Sequence, residues 1–236
     1  MLEERHFEQP QVDYITWDSF RSSFFYEWQQ GEHVSILGAT GQGKSILGTE
    51  LIRLRAKIRG AHIVVFATKP RDESLERLGW EKIRAWPPEF GNEQFILWPE
   101  YGDPTTAAIR QRPTILEALR HIFVTGNRTI YFDEIMDVSD RLDLKEAIGE
   151  FWRMGRSNNL TVVAGTQRPK FVDRSMFSEP TWTFFFRQHD DDDLRRVGEI
   201  GGDIRTIRAV VKQLPQHCFL CVHRTTGRMV VSKVEV

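Results

Sequence analysis

The chain has 236 residues, 40% of them hydrophobic and 28% charged, which suits one large soluble α/β domain with a full core and excludes a disordered protein. With 32 Lys plus Arg against 33 Asp plus Glu, the net charge is −1, so no global basic field advertises nucleic acid; any such contact must come from a local patch or from a ring of subunits. Cys218 and Cys221 are too few for a disulfide scaffold, no apolar run approaches the ~18 residues of a membrane span, and the charged start Met1-Leu2-Glu3-Glu4-Arg5-His6 is no signal peptide, so the expectation is a cytoplasmic protein with no membrane span.

In chain order, residues 1–16 are polar with scattered aromatics and read as an arm. Trp17, Phe20, Phe24 and Trp28 recur at helical spacing, with Asp18 or Thr16 as N-cap; the stripe reads as core, with a share able to flank an adenine. Residues 1–30 are thus an arm and an aromatic helix, leading into a core over 31–236, one domain overall. A short apolar strand, His33-Val34-Ser35-Ile36-Leu37, runs into Gly38-Ala39-Thr40-Gly41-Gln42-Gly43-Lys44-Ser45, and a helical pattern follows from Ile46 to Arg55. This is G-x-x-x-x-G-K-[ST] in its required strand–loop–helix context. The glycines let backbone N–H groups wrap phosphates, the helix start adds its positive dipole end, Lys44 faces the β- and γ-phosphates, and the Ser45 hydroxyl can ligate Mg²⁺.

Ala61 to Ala67 reads as a second buried strand, with Thr68-Lys69-Pro70-Arg71-Asp72 at its carboxyl end, where α/β proteins place ligands. A short helix at 73–79, an irregular stretch from Trp80 to Pro88 holding a short strand, and a strand at Gln94 to Trp98 follow. Thr105 to Val124 reads as a helix broken early by Pro113. The strand Thr129-Ile130-Tyr131-Phe132 ends in Asp133-Glu134, Leu142 to Met154 is helical, and the strand Leu160 to Ala164 ends in Gly165-Thr166-Gln167-Arg168-Pro169. Trp182 to Phe186 is a core strand, Asp190 to Val197 and Ile204 to Lys212 are helices, and 217–223 with 228–235 form a closing β-hairpin. Strands alternating with helices predict an α/β fold, its mostly parallel sheet covered on both faces.

The adjacent carboxylates after an apolar strand complete the nucleotide chemistry. Asp133 is placed to hold the Mg²⁺ shell beside Ser45, and Glu134 to polarise the attacking water as general base. In P-loop ATPases with a catalytic glutamate, the next strand inserts between the acidic strand and the P-loop strand. Gln167 at its tip then faces the γ-phosphate and can orient the water. A GTPase reading fails because Thr68-Lys69-Pro70-Arg71-Asp72 has one residue too many for [NT]-K-x-D. An ABC ATPase reading fails because L-S-G-G-Q is absent. A P-loop small-molecule kinase stays open, although it usually lacks the Asp-Glu pair and the later Gln. His217-Cys218-Phe219-Leu220-Cys221-Val222-His223 hints at zinc, but in a strand His217, Cys221 and His223 share one face while Cys218 points away.

The P-loop, the Asp133-Glu134 pair, Gly155-Arg156-Ser157-Asn158-Asn159-Leu160 and Thr166-Gln167-Arg168-Pro169 together resemble the FtsK–HerA branch of RecA-like P-loop ATPases over roughly residues 31–220. That family pumps double-stranded DNA in chromosome segregation, conjugation and virus packaging. The resemblance implies a RecA-like fold of the additional-strand, catalytic-glutamate type, with ATP and Mg²⁺ at the P-loop over Gly38 to Ile46. It also implies self-association as a ring, a pentamer or hexamer, around double-stranded DNA. Arg156, or Arg153 one turn earlier, would reach the neighbour's nucleotide as an arginine finger. In such rings the loops at Asp137 to Asp143 and Arg168 to Pro180 face the channel. The second carries Lys170 and Arg174, interleaved with Phe171 and Phe177, as the candidate DNA contact. The chain has no membrane region or winged-helix tail, no room for an accessory barrel and no nuclease domain, and so resembles a bare motor core of small phage, viral or plasmid type. An ATP-driven protein secretion or assembly motor is the alternative from a different class.

Overall fold

The computed structural model describes residues 11–88, 93–188, 190–197 and 203–235, so most of the expected arm and His189 lie outside it. Strands are β1 (Val12–Tyr14), β2 (Val34–Leu37), β3 (Ile63–Phe66), β4 (Glu81–Ile83), β5 (Gln94–Leu97), β6 (Thr129–Phe132), β7 (Thr161–Thr166), β8 (Trp182–Phe186), β9 (Cys218–His223) and β10 (Met229–Lys233). The α-helices are α1 (Trp17–Glu27), α2 (Lys44–Ala56), α3 (Glu73–Glu76), α4 (Ala107–Thr125), α5 (Lys145–Met154), α6 (Ser175–Ser178), α7 (Asp191–Val197) and α8 (Ile204–Gln213). The strands form one sheet in the order β1-β10-β9-β8-β2-β7-β6-β3-β5-β4. From β8 to β4 every pairing is parallel; β9 runs antiparallel to both β8 and β10, forming the expected hairpin, with β1 at the edge beyond β10.

Side chains alternate across the sheet as the pleat demands. Val64, Phe66, Ile130, Phe132, Val162 and Ala164 share one apolar cluster with Ile115 and Leu119 of α4, Phe151 and Trp152 of α5, and Ile207 of α8. Ile63, Val65, Val34, Ile36 and Val163 turn to the other face, where Leu47 and Leu51 of α2 and the aromatics of α1 cover them. Helices thus lie on both faces, as the sequence predicts for a RecA-like α/β fold.

Helix α1 starts where Thr16 accepts a hydrogen bond from the Ser19 amide. Trp17, Phe20, Phe24 and Trp28 are all buried, and Phe24 meets Trp182 at 4.9 Å between ring centroids. Four such side chains hold the helix on the sheet by on the order of 6–12 kcal/mol of apolar transfer, an upper estimate. None of the four offers a free ring to an adenine. The segment read as an arm also contributes β1, which pairs in parallel with β10, Val12 opposite Met229.

Helices α4 and α5 depart from the sequence reading. Pro113 does not break α4, which runs unbroken from Ala107 to Thr125. Pro113 and the 75%-exposed Ile109 both lie on the solvent side, so the Ile109 carbonyl that loses its partner faces water. The helix expected from Leu142 begins at Lys145, because Asp137–Arg141 form a π-helical turn and Asp143 takes a left-handed φ of 52°.

Candidate nucleotide site

The insertion of β7 between β2 and β6 brings the site together. Leu37 pairs with Thr166, and Phe132 with Ala164, so the P-loop, the Asp133-Glu134 pair and Gln167 all emerge from the same edge of the sheet. The loop turns through Gly41 (φ 75°) and Gly43 (φ 110°), left-handed values that side-chain-bearing residues rarely adopt. Nothing lies within 4 Å of a Cβ built on Gly41, so its backbone faces open space. Gly38 donates to the Thr166 carbonyl and Ala39 to the Arg187 carbonyl, both at 3.3 Å, tying the loop to the strands on either side. Gln42 is half-buried, and Ile46 packs its side chain against the apolar cluster under α2.

The cleft over this loop holds about 300 Å³ and is lined by Lys44, Ser45, Lys69, Asp133, Gln167 and His217 among others. Lys44 is buried and donates to the Ala39 carbonyl at 2.9 Å. Burial lowers its pKa, against the attraction of Glu134 and Asp133. Asp133 accepts from the Tyr131 hydroxyl at 3.0 Å, from Lys69 Nζ at 2.9 Å and from the Ser45 hydroxyl. Burial opposes its charge, yet Lys69, Ser45 and Tyr131 outweigh that and hold its pKa below the usual range. Ser45 and Asp133 therefore meet as two hard oxygen donors, and the lysine on Asp133 shows that the spot accepts positive charge; both features fit Mg²⁺. Helix α2 comes this close to Tyr131 because Gly48 has no side chain: a Cβ there would sit 2.2 Å from the Tyr131 hydroxyl.

Glu134 accepts the Gln167 amide at 3.1 Å and the Met136 amide at 3.4 Å. Burial raises its pKa, and the Gln167, Met136 and Thr166 donors with Lys44 oppose the rise. The Gln167 side chain reaches across the cleft, where its Oε1 accepts the Thr40 hydroxyl at 2.6 Å. A continuous path thus runs from the P-loop through Gln167 to Glu134.

The two arginines lie elsewhere. Arg153 ends α5 and donates to Glu150 at 2.6 Å. Arg156 lies in the 3₁₀ turn Gly155–Asn158, exposed and in none of the ion pairs among the described residues. That turn precedes β7, whose six residues span ~20 Å to the Thr166 end. Arg156 sits at the opposite edge of the sheet from its own P-loop.

The two segments expected to face a channel are less open than their sequence implies. In the π-helical turn, Arg141 points inward, donating to the Thr68 carbonyl at 3.3 Å and to Gln111 Oε1 at 3.0 Å. In the second segment Lys170 pairs with Asp192, Phe177 is buried in the core, Phe171 is 54% exposed, and Arg174 is exposed ahead of α6.

Lys69 and His217 in the cleft, and Gln216 beside it, escaped the sequence reading as parts of the site. Lys69 reaches Asp133 because β3 neighbours β6, an adjacency that linear spacing does not display. Gln216 donates to the Gly41 carbonyl at 3.2 Å. His217 precedes β9 in a left-handed conformation (φ 64°), and its Nδ1 comes within 3.0 Å of a Cβ built on Gly43. It therefore does not share a strand face with Cys221 and His223; Cys221 is buried in the core, where burial raises its thiol pKa.

The sequence matches no protein-family model and no curated protein. Solved structures do resemble it. The genome packaging NTPase B204 from Sulfolobus turreted icosahedral virus 2, in complex with AMP, superposes with a TM-score of 0.67 at 14% identity, covering 89% of this chain and 100% of that one. VirB4 of Thermoanaerobacter pseudethanolicus gives 0.67 at 11% identity, over 86% and 89%. The cytoplasmic domain of the Thermomonospora curvata type VII secretion ATPase EccC gives 0.60 at 17% identity, over 87% of this chain and 25% of that one. No helix among the described residues is long and apolar enough to cross a membrane. The chain is similar to packaging and secretion ATPases in its fold, the RecA-like P-loop fold that its resemblance to the FtsK–HerA branch implies.

Proposed function

We propose that this chain is a Mg²⁺-dependent ATPase and the motor core of a ring that moves double-stranded DNA, in viral or phage genome packaging or in plasmid or conjugative transfer. The observation that carries the reading is the path from Thr40 through Gln167 to Glu134, with Ser45 and Asp133 meeting beside it. The Gly38 to Ile46 backbone cradles the phosphates, and Lys44 neutralises the β- and γ-oxygens. Ser45, with Asp133 beside it, would hold a divalent ion, which when bound would supply positive charge against the same oxygens. Glu134 takes the proton of the attacking water, and Gln167 fixes that water in line with the γ-phosphorus. Arg156 cannot reach its own P-loop, so it serves a neighbouring copy's site, which makes the ring part of the chemistry.

The DNA cargo is supported by the likeness to a genome packaging NTPase and by the segment bearing Lys170 and Arg174. The test is the ATPase rate with and without duplex DNA, read alongside native mass. Stimulation by DNA in an oligomer is the expected result. Hydrolysis indifferent to DNA would favour a secretion or assembly motor, and a phosphorylated small-molecule product would favour a kinase.

A further inference from the structure

Lys69 stands where a metal-bound nucleotide would need Asp133. Its Nζ lies 2.9 Å from Asp133 Oδ2 and 3.2 Å from Asp72 Oδ2. Both carboxylates are nearly closed to solvent, with 8% of the Asp72 side chain and 10% of that of Asp133 exposed, whereas the lysine that bridges them is 39% exposed. Asp72 is itself fixed, because its other oxygen caps α3 by accepting from the Ser74 and Leu75 amides. The residue before the lysine is tied to the turn after the acidic strand: the Thr68 hydroxyl donates to Asp137 Oδ2 at 3.0 Å, and the Thr68 carbonyl accepts from Arg141.

We propose that Lys69 is a tethered cation that competes with the divalent ion for Asp133 and withdraws onto Asp72 when that ion binds. This rests on the reading of Ser45 and Asp133 as the metal side of the site. Two cations cannot share one carboxylate oxygen without repulsion, so the ion's apparent affinity is set by how readily the lysine leaves. Asp72 makes leaving easy, since the lysine keeps one partner throughout. The lysine thereby sets the Mg²⁺ concentration at which nucleotide is held.

The test is the Mg²⁺ dependence of binding of a fluorescent ATP analogue to the full chain, with no turnover required. Binding measured in chelator shows that each variant still folds and takes nucleotide. Lys69→Met is expected to lower the half-saturating Mg²⁺ concentration by roughly threefold or more. Asp72→Asn, which keeps the cap because Asn caps as well as Asp, is expected to raise it by about twofold or more. A bare change of local field would move both in the same senses, so the double variant decides. With the lysine gone, Asp72→Asn should add nothing, whereas independent effects that sum would overturn the exchange. An unchanged or raised Mg²⁺ requirement in Lys69→Met would overturn it as well. Wild-type binding indifferent to Mg²⁺ would remove the metal assignment itself, and the proposal with it.

Discussion

Lys44 and Glu134 act on different parts of the proposed reaction, and their variants should separate accordingly. Lys44→Ala removes the charge facing the β- and γ-phosphates, so both ATP binding and hydrolysis should be lost. Glu134→Gln can keep the acceptor for the Gln167 amide, gives up the longer 3.4 Å contact with the Met136 amide, and removes the base. Binding should survive while turnover falls by ~10²–10⁴. Nucleotide titration followed by single-turnover hydrolysis checks both, and near wild-type turnover in Glu134→Gln would sink the base assignment. Residue types and spacing carried this much, because a P-loop and a strand-ending acid pair are local patterns. Lys69 was not legible in the same way. Its stretch reads as a strand end suited to a ligand and as a poor match to a guanine motif, but neither gives Lys69 a role, and its partner Asp133 lies 64 positions away on a strand whose neighbour the sequence does not state.

Packing between elements supports two further expectations. Gly48 sits inside α2, where replacing glycine by alanine ordinarily stabilises a helix by about 1 kcal/mol. Here the new methyl would fall 2.2 Å from the Tyr131 hydroxyl and 2.6 Å from its ring, so α2 must lift from β6. Gly48→Ala should therefore destabilise by about 1–3 kcal/mol in denaturant unfolding; a stabilised variant would contradict the close approach. At the other end of the sheet, His33 precedes β2 and its Nδ1 accepts the Val162 amide of β7 at 3.0 Å. Burial, with a smaller push from Arg156 and against a bond to the Trp152 backbone, lowers its pKa from 6.5 to about 4. Between those values the unfolded chain binds the extra proton and the folded chain does not. Stability should therefore be complete above pH 6.5 and decline by about 3 kcal/mol as pH falls to about 4. In His33→Asn, whose side-chain oxygen can still accept the Val162 amide, the loss over that window should shrink; an identical slope would show that another group sets it. The strands themselves were legible as apolar runs bounded by turns. What escaped were β1, three residues too short to show alternation, and the unbroken α4, where solvent on one side of Pro113 decides the outcome.

For the whole molecule, the proposed motor requires more than one copy of the chain. Its net charge of −1 offers no field for DNA, and Lys170 is already engaged by Asp192. Arg174 is then the stronger candidate of the two, and Lys170 joins only by leaving its partner. In a ring of five or six copies even one such contact per subunit matters, since each phosphate contact adds ~0.9 to the slope of log affinity against log salt. Arg174→Glu should lose DNA-stimulated hydrolysis more completely than Lys170→Glu, with basal hydrolysis retained in both. Unchanged stimulation in the double variant, with the oligomer intact, would remove this segment from the DNA path.

In the proposed ring each site is built from two copies of the chain, a P-loop from one and Arg156 from the next. Mixing Lys44→Ala with Arg156→Ala subunits tests it most directly, because each variant alone should be inactive while some interfaces in a mixture pair an intact P-loop with an intact arginine. A finger supplied in trans is worth ~10³ or more in rate, so those interfaces should stand out from either parent. The predicted result is ATPase activity that rises and falls with mixing ratio. No recovery at any ratio, with mixed oligomers demonstrated by native mass, would contradict it.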